Sequence, residues 1–260
     1  MSKVIAITNE KGGVGKTTTS VNLGIGLARK GKKVLVADID PQGSLTTHLG
    51  FREAEKLTLT TATIMDKIIE DKPLNASEAI LTHSEGISIL PANIELSKID
   101  MALVTAMSGE TILKQYIETI RHEYDYIILD CSPSLGMLTI NALSAADSVI
   151  IPVAPKYLDV KGLELLLKTI AKINRQINKT LTIEGILVTM ADTRTKYNRG
   201  IITLIESTYK GKIKIYRKNI PQSVKVSEAS AAGISVFTYD PQGKATLAYE
   251  ALTKEVLGHG

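Results

Sequence analysis

A glycine-rich loop lies near the N-terminus and has the sequence Lys11-Gly12-Gly13-Val14-Gly15-Lys16-Thr17. It follows the apolar run at residues 4–8 and leads into a predicted helix at residues 17–30, where apolar side chains recur with helical spacing. Glycines let the backbone curl so that successive N–H groups point inward, and the helix N-terminus adds positive potential. A strand, such a loop and a helix in this order predict a phosphate-binding site.

The positions of this loop have distinct expected roles. Lys16 is predicted to reach the β- and γ-phosphates of a nucleotide, and the Thr17 hydroxyl to bind Mg²⁺. The alternative is a plain strand-to-helix turn with an exposed lysine, which the complete context disfavours. The predicted nucleotide-binding residues of the loop are Lys11, Gly12, Gly13, Val14, Gly15, Lys16, Thr17 and Thr18.

Two aspartates end the apolar run at residues 34–39, in Ala37-Asp38-Ile39-Asp40-Pro41. Ligands of an open parallel sheet lie outside the carboxyl ends of its strands, so both side chains are expected to face the phosphates. Asp40 is a candidate to orient the attacking water or accept its proton. Asp38 is a candidate to hold Lys16 or the water shell of the metal. A turn before Pro41 is the alternative interpretation.

A third apolar run, at residues 126–129, ends in Asp130 and Cys131. An aspartate at the end of a buried strand is the usual second contributor to a nucleotide-bound Mg²⁺ site, so Asp130 is the predicted metal residue beside Thr17. Cys131 is the only cysteine, which excludes an intrachain disulfide. We expect it to be a packed small side chain.

Strand-length apolar runs alternate with helical segments along the whole chain. This order predicts a single-domain, doubly wound α/β fold with a mostly parallel sheet of about seven or eight strands and helices on both faces. A second predicted helix covers residues 158–174, and residues 50–85 are the least regular. The predicted strands are residues 4–8, 34–39, 87–90, 126–129, 148–153, 183–189 and 213–216.

Composition narrows the class of protein. With 260 residues, 44% hydrophobic and 22% charged, the chain is neither disordered nor fibrous. No signal peptide precedes the loop and no span of about 20 apolar residues occurs, which predicts a cytoplasmic protein.

A serine-hydrolase elbow is absent, and the histidines are expected on the surface. They are His48, His83, His122 and His259.

Charge is distributed unevenly along the chain. The formal net charge is only +4, but residues 190–230 hold nine basic side chains against three acidic ones. A local excess of six positive charges suits an anionic polymer better than a small substrate.

The loop departs from the usual phosphate-binding pattern, because Glu10 stands at the first glycine and Lys11 follows it. In this form it resembles the deviant loop of the ParA/Soj partitioning ATPases, with MinD and the nitrogenase iron protein as more distant cousins. Residues 38–42 resemble the Asp-x-Asp-Pro-Gln signature of that family, and residues 219–229 and 239–241 resemble two later segments. Ser132 stands where the family usually has a proline. The resemblance covers about residues 3 to 256.

The resemblance implies one ATPase domain over residues 1–260 that binds ATP and Mg²⁺. It implies an ATP-dependent homodimer in which Lys11 reaches the nucleotide of the partner, while Asp40 supports hydrolysis. Pro221 is expected to pack on the adenine. Non-specific DNA is the expected partner of the dimer through Arg194 and Lys225, which places the protein on the nucleoid. A ParB/Spo0J-type protein is the expected stimulator of hydrolysis.

Rival functions on the same fold make different demands on the sequence. A nitrogenase-type reductase needs two cysteines per chain. A MinD-like positioning ATPase needs a basic amphipathic helix at its end, whereas residues 250–260 have one lysine against two glutamates. A metabolic kinase or ligase needs a second substrate motif, which we do not find. Regulation of replication or transcription, and the replicon that is served, stay open.

Overall fold

Apolar, β-branched runs form the strands of one central sheet. The computed structural model describes residues 2–258, and within them the sheet has seven strands in the order β3-β4-β2-β5-β1-β6-β7. All neighbouring strands are parallel except β3 and β4, which pair antiparallel. The strands are β1 (Lys3–Ile7), β2 (Val34–Ile39), β3 (Leu81–Thr82), β4 (Ser88–Leu90), β5 (Tyr126–Cys131), β6 (Ser148–Val153) and β7 (Thr182–Val188).

Helices connect the strands and continue after the last one. Short 3₁₀ turns at Ala54–Lys56, Gly109–Thr111 and Arg121–Glu123 complete the connections. The helices are α1 (Lys16–Ala28), α2 (Ser44–His48), α3 (Thr61–Ile69), α4 (Leu96–Leu103), α5 (Ile112–Ile120), α6 (Met137–Ala145), α7 (Tyr157–Gln176), α8 (Lys196–Tyr209), α9 (Val224–Ala232), α10 (Val236–Tyr239) and α11 (Lys244–Val256).

The helices divide between the two faces of the sheet, and each face has its own apolar core. In β1, Val4 and Ala6 join the core under α3 to α8, whereas Ile5 and Ile7 join the core under α1, α2 and α9 to α11. Alternate side chains of a strand point to opposite faces, so a central strand covered on both sides must be apolar throughout. This explains the continuous apolar runs in the sequence and confirms the doubly wound α/β class.

The topology gathers the candidate residues at one edge of the sheet. β1 lies between β5 and β6, so the glycine-rich loop that follows it sits at the centre of the carboxyl edge. Asp38 on β2 is in register with Asp130 on β5, and Asp130 is also in register with Ile7 at the end of β1. The strand order reverses at the centre of the sheet, and such a switch point is where open α/β sheets bind ligands.

The predicted strand at residues 213–216 is wrong. Only a single parallel bridge, between Ile186 and Ile215, joins this segment to the sheet. Instead, the edge opposite β7 is extended by β3, which the sequence analysis missed because it has only two residues. In the irregular region 50–85, the β-branched residues do not form a strand, because Thr60 and Thr63 form a capping box that begins α3.

The two predicted helices are confirmed with small shifts at their ends, at Lys16–Ala28 and Tyr157–Gln176. Among residues 2–258, no helix combines the length and the apolar character needed to cross a bilayer. The prediction of one domain over residues 1–260 also includes Met1, His259 and Gly260, which lie outside the described residues.

Candidate functional site

The glycine-rich loop has the backbone geometry of an anion cradle. Gly13 (φ 69°) and Gly15 (φ 82°) are in the left-handed region, which a side chain would strain, and Gly15 caps α1. Within residues 2–258, the backbone N–H groups of residues 12–18 donate to no protein acceptor. Several unpaired donors at a helix N-terminus favour a phosphate group.

A residue that the sequence analysis did not single out fixes the loop from behind. Thr189, directly after β7, donates its hydroxyl to the backbone oxygen of Val14 over 2.7 Å. The side chain of Val14 is buried, and a Cβ added to Gly15 would touch Thr189 at 3.7 Å. The loop is therefore held against the end of a neighbouring strand.

Lys16 curls back over the loop that it follows. Its ammonium donates to the backbone oxygen of Lys11 over 2.9 Å, and the side chain is only 7% exposed. Burial lowers the pKa of Lys16, while Asp130 raises it to a lesser extent. A partly desolvated cation beside unpaired N–H groups is suited to hold the terminal phosphates of a nucleotide.

Thr17 and Asp130, the two predicted metal residues, are in direct contact. The Thr17 hydroxyl donates to Oδ2 of Asp130 over 2.8 Å, and Ser20 donates to Oδ1 over 2.7 Å. Burial, followed by the charge of Asp38, raises the pKa of Asp130 to about 7. Ser20 was missed, although it lies three residues after Thr17 and therefore on the same side of α1.

This pair fits a nucleotide-bound Mg²⁺ ion. Mg²⁺ is usually held by one or two protein oxygens together with substrate phosphates and water, rather than by an all-protein cage. Thr17 and Asp130 supply such oxygens beside the phosphate loop. Consistent with that mode, the described part of the chain has no cluster of three or more His, Cys, Asp or Glu side chains able to bind a metal.

Asp38 does not hold Lys16 as the sequence suggested. Its carboxylate is fully buried and accepts hydrogen bonds from the backbone N–H and hydroxyl of Thr46 and from the N–H of Asp40. The carboxylate is used to fix the start of α2, because that helix has no capping side chain of its own. Burial raises the pKa of Asp38 to about 6. A role toward the water shell of the metal stays a prediction.

Asp40 lies at the mouth of the site, where the sequence placed it. It is 9% exposed and lines a cavity of about 1000 Å³ together with the loop residues Gly12, Lys16 and Thr17. Its backbone oxygen accepts from the N–H of Gly43 over 2.9 Å, which closes a turn. The structure thus brings Asp40, the loop and the Thr17–Asp130 pair to one cavity.

A second cavity, of about 390 Å³, adjoins the first and contains Pro221. Its partly apolar walls suit a flat base, with Pro221 on one side and Thr18 on the loop side. Met190 lines both cavities and has a positive φ of 51°, which is uncommon for a side chain of this kind. The sequence analysis missed Met190, because backbone conformation leaves no simple sequence pattern.

Lys11 lies against α7 of its own chain. A Cβ added to Gly162 would come within 3.0 Å of its Cε atom and within 2.7 Å of Oε1 of Glu10. The side chain is half-buried there, at the rim of the loop. Its expected reach toward a second copy of the chain stays a prediction.

The two predicted DNA-binding residues lie on adjoining segments but are both engaged in ion pairs. Ala191 and Pro221 form a bridge that joins their segments. Arg194 forms a bidentate pair with Asp192, and Lys225 contacts Glu228 over 2.9 Å. These exposed pairs are weak and open to competition by phosphate.

The expectation that the histidines lie on the surface is wrong for His48 and His83. They are 6% and 7% exposed, because the hairpin β3-β4 and the end of α2 pack against the segment around Gly233. Burial and the nearby His83 lower the pKa of His48 to about 4. His122 is exposed, as expected, and His259 lies outside the described residues. Cys131 is buried, as predicted.

Comparisons with known proteins extend the similarity far beyond the loop. A family model described as an AAA domain matches residues 2–183. The sporulation initiation inhibitor protein Soj of Bacillus subtilis is 44% identical over 261 residues, covering all of this chain and all of that protein. The chromosome-partitioning ATPase Soj of Treponema pallidum is 38% identical over 99% of this chain and 98% of that protein.

Solved structures have the same fold with nucleotide in place. The cobyrinic acid a,c-diamide synthase of Mycobacterium smegmatis, with bound ATP analogue and magnesium, aligns with a TM-score of 0.85 and 31% identity. The alignment covers 100% of this chain and 96% of that chain. The sequence relatives and the structural relative therefore both match the chain over its full length.

Proposed function

Because this chain belongs to the Soj/ParA family of chromosome-partitioning ATPases, we propose that it closes as an ATP-bound homodimer, binds DNA without regard to sequence and is released by hydrolysis. The chain is an ATPase, and it uses ATP together with Mg²⁺. The observation that carries the nucleotide-dependent part of the proposal is the Thr17–Asp130 contact, at a loop whose N–H groups have no acceptor among residues 2–258.

The residues of the site support an in-line attack of water on the γ-phosphate. Lys16 and the backbone N–H groups of the loop hold the phosphates and stabilise the charge that builds on them. Asp40 orients the attacking water, since its carboxylate lines the same cavity. Thr17 and Asp130 would hold Mg²⁺, which would supply positive charge to offset the charge of the phosphates.

Dimer closure brings two loops face to face and adds the Lys11 of each chain to the site of the other. Lys11 suits this role because it lies in the loop and its side chain is not fully buried. Closure excludes water and strengthens every charge interaction in the site. The loop glycine Gly12 has free space around it in a single chain, which leaves room for close approach.

DNA binding follows from the basic segment at residues 190–230 and is non-specific because it is directed at phosphates. Arg194 and Lys225 are the contact residues in this proposal. A ParB/Spo0J-type partner accelerates the slow intrinsic hydrolysis and thereby releases the dimer from DNA. The protein is cytoplasmic in this cycle and associates with the nucleoid in its ATP-bound state.

One set of binding and turnover measurements tests the proposal. Binding to two DNA duplexes of unrelated sequence is measured with ATP and Mg²⁺, with ADP, and without nucleotide. ATPase turnover is then measured with DNA and the purified ParB/Spo0J-type protein of the same organism. We expect equal affinity for both duplexes, only with ATP, and turnover that rises when the partner is added.

Lys16→Ala should abolish ATP turnover and ATP-dependent DNA binding, because the cation at the phosphates is lost. Lys179→Ala is the matched control. Lys179 is exposed and precedes β7, so it lies at the amino ends of the strands, whereas the nucleotide site lies at their carboxyl ends. Normal turnover in Lys16→Ala would disprove the site. Sequence-dependent or nucleotide-independent DNA binding would favour a regulator of transcription or replication instead.

A further inference from the structure

Helix α4 and the turns that follow it expose several apolar side chains to solvent. Met101, Val104 and Met107 are 76%, 70% and 92% exposed. Ile94, in the turn that leads into α4, is also exposed. Single exposed apolar residues are ordinary on a protein surface, whereas a contiguous set marks an interaction site.

A neighbouring loop extends this surface with Leu59. The N–H of Thr61 donates to the backbone oxygen of Pro91 over 2.8 Å, and the Asn93 side chain donates to that of Leu57 over 3.1 Å. These bonds hold the loop before α3 alongside the residues that precede α4. We call the combined surface the α4 face, which consists of Leu59, Ile94, Met101, Val104 and Met107.

The tip of the α4 face has a fixed backbone. Gly109 is pressed against the end of α4 so closely that an added Cβ would lie 2.0 Å from the backbone oxygen of Leu103. Ser108 is left-handed, with φ 51°, and the side chain of Asn141 donates to the backbone oxygen of Gly109 over 2.7 Å. Met107 is thus presented by a fixed turn, which lowers the entropy cost of binding a partner.

The segments that carry the α4 face are acidic in a chain that is basic overall. Residues 53–59 and 93–110 together have five carboxylates against two lysines, a net charge of −3. Both lysines form ion pairs within the surface, Lys56 with Glu53 and Lys98 with Glu95. The charge of this surface is opposite to that of residues 190–230 and complementary to a basic partner.

The α4 face is linked to the loop that follows the metal residue Asp130. Oδ1 of Asp100 accepts from the N–H of Leu138 over 3.0 Å, in the first turn of α6. A Cβ added to Gly136 would lie 3.4 Å from the same carboxylate. Pro133, in that loop, lines the nucleotide cavity. Asp100 therefore connects α4 to the loop between Asp130 and α6.

We propose that the α4 face docks a basic, amphipathic segment of the protein that stimulates hydrolysis. The inference rests on the proposed function. The apolar side of the segment packs on Met101, Val104 and Met107, and methionine side chains adapt to such packing. Its lysines and arginines face the surrounding carboxylates. Docking on α4 acts on the site through Asp100 and α6.

The test compares a double variant with a single-substitution control. Met101→Ser with Met107→Ser removes the exposed apolar tip, and Leu247→Ser removes an apolar side chain that is 56% exposed on α11. ATPase turnover is titrated with the purified ParB/Spo0J-type protein, in the presence of ATP, Mg²⁺ and DNA. We expect the serine double variant to need at least about tenfold more partner for half-maximal stimulation, as for residues central to an interface.

The same variant should keep its basal turnover and its thermal melting point, since neither methionine contacts the nucleotide cavity. A charge-reversed double variant, Glu55→Lys with Glu110→Lys, should also weaken stimulation by the partner. Its loss of stimulation should be larger at low salt than at high salt, because salt screens the charges. Leu247→Ser should respond like the wild type.

The remaining outcomes separate two kinds of failure. Unchanged stimulation of the serine double variant, with a wild type that responds, would overturn the α4 face and leave the proposed function standing. A wild type that does not respond would overturn the proposed function and this inference together. Loss of ATP-dependent dimers in the serine double variant, measured by light scattering without partner, would assign the α4 face to a second copy of the chain.

Discussion

The backbone N–H of Gln42 donates to Oδ1 of Asp40 over 3.0 Å. The turn after β2 thereby fixes one carboxylate oxygen of Asp40, and the residue borders the nucleotide cavity. A carboxylate held in this way is oriented before substrate arrives, which is what positioning a water molecule requires. A turn at Pro41, the alternative interpretation of this segment, is therefore compatible with the catalytic role proposed for Asp40.

Asp40→Ala should stall hydrolysis while leaving ATP binding intact, because the phosphates are held by Lys16 and the loop. The ATP-bound dimer should then accumulate. Size-exclusion chromatography with ATP and Mg²⁺ measures the dimer, and phosphate release measures turnover. Asp40→Asn keeps an oxygen for the Gln42 N–H, so it should match Asp40→Ala in turnover and exceed it in thermal stability.

Two results would contradict this role for Asp40. Normal turnover in Asp40→Asn would show that the charge of the carboxylate is not needed. A monomeric Asp40→Ala protein at saturating ATP would show that the residue acts in assembly.

Gly12→Val should block dimer closure without affecting the fold. A Cβ at Gly12 meets no atom within 4 Å, and its backbone is outside the left-handed region, so a single chain accommodates the side chain. Two chains approaching through their loops would not. We expect a monomer at saturating ATP in size-exclusion chromatography, with ATP still bound.

Gly200→Val is the matched control, because Gly200 is also exposed, has no neighbour within 4 Å of an added Cβ and lies on α8. It should dimerise normally. A dimeric Gly12→Val protein would disprove face-to-face closure.

The sequence predicted the parts of the site that depend on local chemistry. The glycine-rich loop with Thr17 comes after β1, Asp40 comes directly after β2, and Asp130 lies at the end of β5. The apolar runs of these strands are plain in the sequence, and parallel strands bring their carboxyl ends together. Ser20 and Thr189 were missed because their roles depend on contacts 110 and 175 residues apart in sequence.

The errors elsewhere have a similar cause. Residues 213–216 have the apolar spacing of a strand, but they form only one bridge to β7. His48 and His83 lie in polar surroundings in the sequence, and tertiary packing buries them. Burial of a polar residue by a distant segment leaves no local pattern.

His48 should make the stability of the protein depend on pH. Its pKa is lowered from the ordinary 6.5 to about 4 by burial and by His83, so the folded chain keeps it neutral. Below pH 6.5 the unfolded chain binds a proton that the folded chain does not. Stability is therefore full above pH 6.5 and falls by up to about 3 kcal/mol as the pH decreases toward 4.

The measurement is the free energy of unfolding by urea at pH 7.5 and pH 4.5, for the wild type and His48→Gln. Asp38 and Asp130 have raised pKa values and change stability in the opposite direction, but they are present in both proteins and cancel in the comparison. His83 is the neighbouring group that acts on the pKa of His48, and Arg52 and Asp40 line the same cavity as His48. An equal pH dependence in the two proteins would rule out His48 as the cause.

DNA affinity should depend on the competition between phosphates and the intramolecular partners of Arg194 and Lys225. Replacing either basic residue by alanine should weaken binding to all sequences and flatten the log–log salt dependence by about 0.9 per lost contact. Asp192→Asn and Glu228→Gln should instead strengthen DNA binding, because each frees a basic side chain from its ion pair. The four variants are compared with ATP at two salt concentrations, and all should still dimerise. If the alanine variants bind as tightly as the wild type and the acidic replacements change nothing, the contact surface lies elsewhere, among the other basic side chains of residues 190–230.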